Sequence, residues 1–309
     1  MTEIASSSLH ATAEFYERSA GVKFFRTALS ATDALAPKLA ARFAQQLFLT
    51  PLPPKWFQRR QAWNPSWAIK SLPFEGASLT LYRRMSAESD GLSDGLEVDR
   101  PHVLLIHGWG GSAGQMQALA SAIAERGLVP VVIEAPAHGQ SRGLRSSLPQ
   151  FARAIEYVAT RLALSGVRIQ GVVAHSLGAS AAAYAVAHGV PATPLVLLAP
   201  PDRPRDFTKM FAQVFGLSER TRARMQSRIE AKEAALMEAY AASHLGPKIA
   251  SPILIVHDES DPINVFSGAK RWLAESQNAR LFATIGLGHR RILRERAVID
   301  AVADFVNHS

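Results

Sequence analysis

Residues 170–182 read Q-G-V-V-A-H-S-L-G-A-S-A-A. They begin with an apolar run that is typical of a buried strand and end with an alanine-rich run that favours a helix. Ser176 lies between the two runs, with the small residues Ala174 and Gly178 two positions to either side. A strand, a tight turn at a serine and a helix form the layout of a nucleophile elbow. A buried serine in an ordinary strand–turn–helix connection has the same pattern, so the surrounding chain has to distinguish the two.

Short apolar runs alternate with helical segments on both sides of this stretch. The sequence predicts strands at 102–106, 129–134, 169–174, 195–199, 252–257 and 281–285, and helices at 113–126, 149–164, 177–188, 268–276 and 291–306. Two further strands, at 68–73 and 78–85, flank a predicted hairpin. Because strands that alternate with helices form parallel βαβ units, the predicted fold class is α/β, with a mostly parallel central sheet and helices on both faces.

Two segments of helical composition fall outside this alternation. Residues 1–67 are predicted to form an N-terminal helical extension that packs on the core. Residues 68–309 are predicted to form the α/β domain, with residues 201–248 inserted between two of its strands as a small helical cap. In such sheets ligands bind at the carboxyl ends of the strands, so an insertion there is expected to shape the site.

The extension contains one helical pattern, at residues 31–49, for which Asp33 is a candidate N-cap and Pro37 a first-turn residue. Its apolar residues at helical spacing are Leu35, Leu39, Phe43, Leu47 and Phe48. They favour packing on the main domain. A partner or a membrane surface is the alternative, because Lys38 and Arg42 lie beside them.

The composition excludes several classes of function. The chain has 309 residues, of which 48% are hydrophobic and 19% charged, as in an ordinary globular protein. It has no cysteine, so disulfides and thiolate metal sites are excluded. The net charge of +8 comes without the interleaved basic and aromatic residues of a nucleic-acid module, so nucleic acid is not an expected partner. The sequence has no run of apolar residues long enough for a membrane span and no evident secretory signal, so a cytoplasmic location is expected.

Residues suited to chemistry follow four of the predicted strands. They are Ser176, the glycine-rich segment H-G-W-G-G-S at 107–112, Asp261 and His289. Glycines let backbone N–H groups point into a site, so the N–H of Trp109 is a candidate oxyanion donor, beside the Leu177 N–H at a predicted helix start. The glycine patterns of phosphate-binding loops are absent from this segment.

The three side chains occur in the order Ser, Asp, His, which is the order of a triad on this type of sheet. The segments H-G-W-G-G at 107–111, E-A-P-A-H-G-Q-S at 134–141, A-H-S-L-G at 174–178, H-D-E-S-D-P at 257–262 and G-L-G-H at 286–289 together resemble the α/β-hydrolase family. The resemblance covers roughly residues 70–309. Glu134 stands where the family has Asp, and Ala137 and Ala174 stand where it has Gly. Asp258 is an alternative acid, although spacing favours Asp261.

The resemblance implies a serine hydrolase in which His289 takes the proton of Ser176 and Asp261 orients His289. Trp109 and Leu177 N–H groups bind the oxyanion, and no metal or organic cofactor is needed. The predicted activity is hydrolysis of a carboxylic ester or thioester of a small-molecule acyl substrate. The alternatives are an amidase, peptidase or C–C bond hydrolase with the same triad, and a non-catalytic binding protein on the same scaffold. A homodimer through the N-terminal helices is a further expectation.

Overall fold

The computed structural model describes residues 20–52, 63, 65–84, 98–191 and 194–308, with the backbone alone at 20 and 21. The chain divides into two compact units. The helical unit comprises Met1–Thr50 and Arg203–Ala239, and the α/β unit comprises Pro51–Asp202 and Tyr240–Ser309. In the described part of the chain, no helix combines the length and the apolar character that crossing a bilayer requires.

The strands of the α/β unit are, in chain order, β1 (Trp67–Phe74), β2 (Ala77–Arg84), β3 (His102–Ile106), β4 (Val129–Glu134), β5 (Ile169–His175), β6 (Leu195–Leu198), β7 (Ile253–Asp258) and β8 (Ala279–Thr284). They form a sheet in the order β1-β2-β4-β3-β5-β6-β7-β8. β2 pairs antiparallel with both of its neighbours, and every pairing from β4 to β8 is parallel. The predicted α/β class with a mostly parallel sheet is therefore confirmed.

The helices of two or more turns are α1 (Ala20–Leu35), α2 (Pro37–Phe48), α3 (Gln117–Glu125), α4 (Leu148–Leu164), α5 (Leu177–Ala187), α6 (Asp206–Phe215), α7 (Glu219–Glu233), α8 (Phe266–Glu275) and α9 (Arg296–Asn307). Shorter helical turns lie at Ala113–Met116, Met237–Tyr240, Ala242–Leu245, Gly246–Lys248, Gly288–Arg291 and Ile292–Arg294. Helices α1, α2, α6 and α7 belong to the helical unit, and the others belong to the α/β unit.

The central strands are buried and almost entirely apolar. β3 reads H-V-L-L-I and β6 reads L-V-L-L, and every residue of both strands is buried. Parallel strands whose two faces are both covered have such near-continuous apolar runs. One buried cluster joins the sheet to the helices, including Leu105 of β3, Val173 of β5 and Val302 of α9. This packing holds the parallel strands side by side, so that their carboxyl ends lie at one edge of the sheet.

The helical unit has an apolar core and a buried polar contact. The core side chains are Leu29, Ala44, Leu49, Val214, Phe215, Met225 and Ile229. The Asp33 carboxylate in α1 accepts hydrogen bonds from the Ser218 N–H at 2.5 Å and from Thr221 Oγ1. Burial raises the pKa of Asp33, but the hydrogen bonds from Thr221 and Ser218 outweigh it, so the pKa lies below its ordinary value. The carboxylate thus holds a negative charge at the N-terminus of α7, where the helix dipole favours it.

The single helix predicted at residues 31–49 is wrong. Two helices, α1 and α2, meet at Ala36, whose φ of −145° is not helical. Pro37 causes the break, because its ring disfavours the helical conformation of the preceding residue. Asp33 is therefore inside α1 and caps no helix of its own segment. Leu35, Leu39 and Phe43 are exposed, so they do not pack as the spacing predicted.

The predicted domain boundaries at residues 67, 201 and 248 stay predictions. Residues 1–19 and 53–62 of the predicted extension lie outside the described residues. The structure adds one fact about the remainder: residues 20–50 and 203–239 belong to one compact unit.

Candidate active site

Ser176 occupies a sharp turn between β5 and α5. Its φ of +55° lies in the left-handed region that L-residues rarely adopt, and its N–H donates to the Leu198 carbonyl of β6 at 2.8 Å. Gly178 permits the turn because an added Cβ at this position would lie 2.4 Å from the His107 carbonyl oxygen. A strained residue held by its surroundings is typical of a functional site. The sequence pattern at 174–178 therefore folds as a strand–turn–helix with serine at its apex.

Three side chains from three loops meet at this turn. His289 Nε2 lies 3.0 Å from Ser176 Oγ, and His289 Nδ1 lies 2.7 Å from Asp261 Oδ2. Asp261 follows β7, and His289 lies in the helical turn that follows β8. The parallel strands bring these loops together because they end at the same edge of the sheet. The structure thus brings together the serine, acid and histidine that the sequence selected, and their catalytic role stays a prediction.

The Asp261 carboxylate is buried and fixed by its own loop. Its Oδ1 accepts hydrogen bonds from the N–H groups of Ile263 at 2.8 Å and Asn264 at 3.0 Å. His257 Nε2 lies 3.5 Å from Asp261 Oδ2 and donates to the Asn264 carbonyl at 2.7 Å. Burial is the main cause that lowers the pKa of His257, which keeps this imidazole neutral. With Oδ1 occupied by the loop, Oδ2 is the oxygen that faces His289.

Asp258, the alternative acid, has a different set of contacts. Its Oδ2 accepts hydrogen bonds from Thr284 Oγ1 at 2.8 Å and from the Leu287 N–H at 2.9 Å. Burial raises its pKa, but hydrogen bonds from the backbone N–H groups of Gly288 and Leu287 outweigh burial and leave the pKa below its ordinary value. The ionised Asp258 therefore ties the end of β7 to the backbone of the loop that precedes His289. Asp261 is the acid whose oxygen hydrogen-bonds to the imidazole.

The loop after β3 lies against the serine turn. A Cβ added at Gly108 would lie 2.8 Å from Ser176 Cβ, so glycine is needed for this close approach. His107 Nε2 accepts from the Ala135 N–H at 3.2 Å, and therefore its Nδ1–H donates to the Gly108 carbonyl at 2.7 Å. The Gly111 N–H donates to the same carbonyl at 3.1 Å. Burial lowers the pKa of His107 to about 4, so the ring is neutral and its tautomer is fixed by these bonds.

These bonds orient the peptide unit between Gly108 and Trp109. A trans peptide directs its N–H away from its carbonyl, so fixing the Gly108 oxygen also fixes the Trp109 N–H. Within the described residues, no acceptor is hydrogen-bonded to the Trp109 N–H. The Leu177 N–H is the first of α5 and has no partner inside the helix. Both predicted oxyanion donors thus belong to segments that adjoin Ser176, and their role stays a prediction.

Two residues at the site were missed by sequence reasoning. His175 Nε2–H donates to the backbone carbonyl of His289 at 2.9 Å and so holds the turn that carries the imidazole. Asn264 Nδ2 donates to the Ala199 carbonyl at 2.7 Å and lies 3.5 Å from Ser176 Oγ. His175 occupies the variable position of the elbow pattern, and Asn264 lies beyond the acid. Neither position carries a spacing signal, so the sequence could not have indicated them.

The segment at 134–141 holds the end of the loop after β3 by hydrogen bonds. Buried Glu134 accepts hydrogen bonds from the Ala113 N–H at 2.9 Å, the Gln140 N–H at 2.6 Å and the Tyr82 hydroxyl at 3.1 Å. Ala137 has a φ of +66°, the conformation for which the family pattern has glycine. Glu134 and Ala137, which stand where the family pattern has Asp and Gly, therefore keep the turn. Ala137 does so at a cost in backbone strain.

Among the residues that the structure describes, no group of three or more His, Cys, Asp or Glu side chains is arranged to hold a metal ion. The polar side chains at the site instead hydrogen-bond to one another and to backbone groups.

A parallel sheet with a serine turn after β5, an acid after β7 and a histidine after β8 defines the class of α/β hydrolases. A sequence profile of the Alpha/beta hydrolase family matches residues 103–302. The chain belongs to the alpha/beta hydrolase family. No curated protein matches the chain significantly in sequence.

Several solved structures share the fold. One is Est1E from Butyrivibrio proteoclasticus with ferulic acid bound, with a TM-score of 0.59 and 18% identity over 76% of this chain and 97% of that chain. Another is an esterase of Pyrococcus furiosus, with a TM-score of 0.56 and 16% identity over 80% of this chain and 93% of the other. A thioesterase domain from the curacin biosynthetic pathway has a TM-score of 0.54 and 18% identity over 78% of this chain and 99% of that domain. At these identities the likeness shows the fold.

Proposed function

We propose that the protein is a serine hydrolase that cleaves a carboxylic ester or thioester of a small-molecule acyl substrate through an acyl-enzyme on Ser176. The observation that carries the proposal is the chain of contacts from Ser176 Oγ to His289 Nε2 at 3.0 Å and from His289 Nδ1 to Asp261 Oδ2 at 2.7 Å. A serine hydroxyl is a poor nucleophile at neutral pH and needs an adjacent base. The contacts supply that base and the group that orients it.

In the first half of the reaction, Ser176 Oγ attacks the acyl carbon while His289 Nε2 takes the hydroxyl proton. Asp261 keeps the proton on Nδ1 and stabilises the imidazolium that forms. The C–O or C–S bond then breaks, and the leaving alcohol or thiol takes the proton from Nε2. In the second half, water gives a proton to His289 Nε2 and attacks the acyl-enzyme. The bond from the acyl carbon to Ser176 Oγ then breaks, Nε2 returns the proton to Oγ, and the carboxylic acid is released.

The tetrahedral intermediates place a negative charge on the former carbonyl oxygen. We assign the Trp109 and Leu177 N–H groups to this charge because both adjoin Ser176 and because His107 holds the peptide that carries the Trp109 N–H. The positive end of α5 also favours an anion at its N-terminus. Losing one such donor typically costs about 10²–10³-fold in kcat, or about 3–4 kcal/mol.

Ester and thioester substrates are favoured over other acyl compounds by the neighbours of similar fold. Their titles name an esterase, a thioesterase domain and an enzyme with bound ferulic acid. Amidases, peptidases and C–C hydrolases use the same triad chemistry, so a panel of p-nitrophenyl esters, acyl-thioesters, anilides and 1,3-diketones ranks these activities directly. A cytoplasmic location and a homodimer through the N-terminal helices stay predictions.

The test of the nucleophile is Ser176→Ala, with Ser180→Ala as its matched control. Ser180 is a second buried serine, in the first turns of α5, so its substitution also removes a buried hydroxyl but leaves the turn at Ser176 intact. We expect wild type and Ser180→Ala to hydrolyse p-nitrophenyl butyrate and to be labelled by a fluorophosphonate probe, and Ser176→Ala to do neither. Labelling that survives in Ser176→Ala would refute the assignment, and an unlabelled wild type would favour a non-catalytic binding protein.

A further inference from the structure

Helix α1 presents an apolar stripe to solvent. Phe24, Ala28, Ala31 and Leu35 follow one another at intervals of four, three and four residues, which places them on one face of the helix. All four are exposed, Leu35 to 87% and Phe24 to 70%. A surface helix of a globular protein normally turns such a stripe toward its core. In α1 this stripe lies on the outside.

The opposite face of α1 is the one that packs, and it combines the apolar Val22 and Leu29 with polar side chains. Arg26 Nη1 donates to the Val214 carbonyl at 3.3 Å, and Ser30 Oγ donates to the Phe215 carbonyl at 3.2 Å. Asp33, one turn further along, accepts from the Ser218 N–H. Turning α1 to bury its apolar stripe would break all three contacts and leave the buried carboxylate of Asp33 without donors. The orientation of α1 within the helical unit is therefore fixed with its apolar face outward.

Helix α2 adds apolar and basic side chains. Leu39 and Phe43 are exposed one turn apart, at 44% and 54%, and the exposed residues Lys38 and Arg42 alternate with them along the helix. Lys38, Arg42 and Lys23 of α1 form no ion pair with any residue that the structure describes. The one acidic residue in the sequence from 20 to 50 is Asp33, which is buried. We name the exposed faces of α1 and α2 the outward surface, defined by Phe24, Leu35, Leu39, Phe43, Lys23, Lys38 and Arg42.

We infer that the outward surface binds the face of an anionic lipid bilayer. Large exposed apolar side chains beside lysine and arginine are the composition of helices that lie in a membrane interface. The apolar side chains insert among the acyl chains, and each basic side chain near an anionic surface contributes a factor of about five in affinity. A second copy is a poorer occupant, because a symmetric contact between two such surfaces brings like charges together. This inference does not depend on the proposed hydrolase activity.

The experiment is co-sedimentation of the full chain with vesicles, once with one part phosphatidylglycerol to three parts phosphatidylcholine and once with phosphatidylcholine alone. Two double variants test the surface: Phe24→Ser with Leu35→Ser, and Lys38→Gln with Arg42→Gln. The control is Leu144→Ser with Leu164→Ser, which removes two side chains of similar exposure, 77% and 84%, from the α/β unit. Circular dichroism and thermal unfolding establish that each variant is folded.

We expect wild type and the control to sediment with the anionic vesicles, and binding to weaken as salt is raised. The Phe24/Leu35 variant should bind the anionic vesicles at least about tenfold more weakly than wild type. The Lys38/Arg42 variant should bind them about 25-fold more weakly, and it should show little difference between the two vesicle types. The inference is overturned if wild type does not sediment, or if the control loses as much binding as the surface variants. It is also overturned if light scattering shows a dimer that Phe24→Ser with Leu35→Ser converts to monomer while vesicle binding is absent.

Discussion

The same conservative substitution, Asp to Asn, is expected to have opposite effects at the two candidate acids, because their carboxylates have different contacts. Asp261→Asn and Asp258→Asn each replace a buried carboxylate by an amide of the same shape. Asp261 faces the His289 imidazole, whereas Asp258 holds the backbone of the loop that precedes it. We expect the first substitution to remove turnover and keep most of the stability, and the second to lower stability and keep most of the turnover.

The magnitude for Asp261→Asn follows from the contacts of its two oxygens. The amide oxygen will stay on the Ile263 and Asn264 N–H groups that Oδ1 now occupies, so the NH₂ group must face His289 Nδ1. An NH₂ group donates, and therefore the imidazole must accept at Nδ1 and carry its proton on Nε2. A protonated Nε2 cannot take the Ser176 proton. The wrong tautomer costs about 10⁴-fold in kcat, on the order of 5 kcal/mol of transition-state stabilisation.

The loss of stability expected for Asp258→Asn comes from hydrogen-bond donors that lose their acceptor. Its carboxylate accepts from the Ser260 N–H at 3.0 Å on one oxygen and from Thr284 and Leu287 on the other. An amide can serve only one of these sides as acceptor, so at least one buried donor loses its partner. We expect a loss of about 1–3 kcal/mol in the free energy of unfolding and less than about a tenfold loss in kcat.

The assay pairs initial rates on p-nitrophenyl butyrate with urea unfolding for wild type and both variants at neutral pH. Initial rates taken well below each unfolding transition separate the catalytic effect from the stability effect. The reasoning is refuted if Asp258→Asn, while folded, loses about 10³-fold or more in kcat and Asp261→Asn keeps over a tenth of wild-type turnover. That outcome would make Asp258 the catalytic acid.

Two further predictions concern stability. Ala137→Gly should raise the free energy of unfolding by about 0.5–1 kcal/mol, because glycine accepts the φ of +66° at this turn without strain, and thermal or urea unfolding measures the gain. Acidification should destabilise the protein between about pH 6.5 and pH 4, because burial lowers the pKa of His107 to about 4 and an unfolded histidine binds its proton at about 6.5. The stabilisation is complete above the unfolded pKa and is lost as the pH falls toward the folded one. Urea unfolding across this range should show a shallower dependence in His107→Gln.

Each of these has a matched control. Ala135→Gly, at a buried position without a positive φ, should cost about 1 kcal/mol, and equal effects at both alanines would contradict the strain argument. Measuring wild type and His107→Gln at pH 8 as well gives the second control, because a loss of contacts alone would lower the free energy of unfolding equally at every pH. An identical slope in wild type and His107→Gln would show that His107 is not excluded from protonation in the native state.

The fold and the candidate triad could be predicted because their signals are local. Each strand is a short apolar run, and Ser176, Asp261 and His289 each follow one such run. The carboxyl ends of parallel strands lie at one edge of the sheet. Three local sequence patterns are therefore enough to predict that the three side chains lie close together. Spacing favoured Asp261 but left Asp258 open, because the difference between them lies in which backbone donors of the loops after β7 and β8 come within reach.

The helical unit could not be predicted, because its partners are distant in sequence. The break at Ala36 has a local cause in Pro37, although the apolar residues keep helical spacing across it. The role of Asp33 had no local cause: its donors lie 185 and 188 residues further along the chain. The apolar spacing of Leu35, Leu39 and Phe43 predicted a buried face. The face of α1 that packs instead carries Leu29, together with the polar contacts of Arg26, Ser30 and Asp33.

The hydrogen bonds between Asp33 and the start of α7 cannot form until α7 has been synthesised. The ribosome adds about 5–20 residues per second, so the 185 residues between Asp33 and Ser218 take on the order of 10–40 s to translate. For that interval the nascent α1 lacks its polar partners and the α6 and α7 part of its apolar core, so Leu29, which is buried in the folded unit, is available to chaperones.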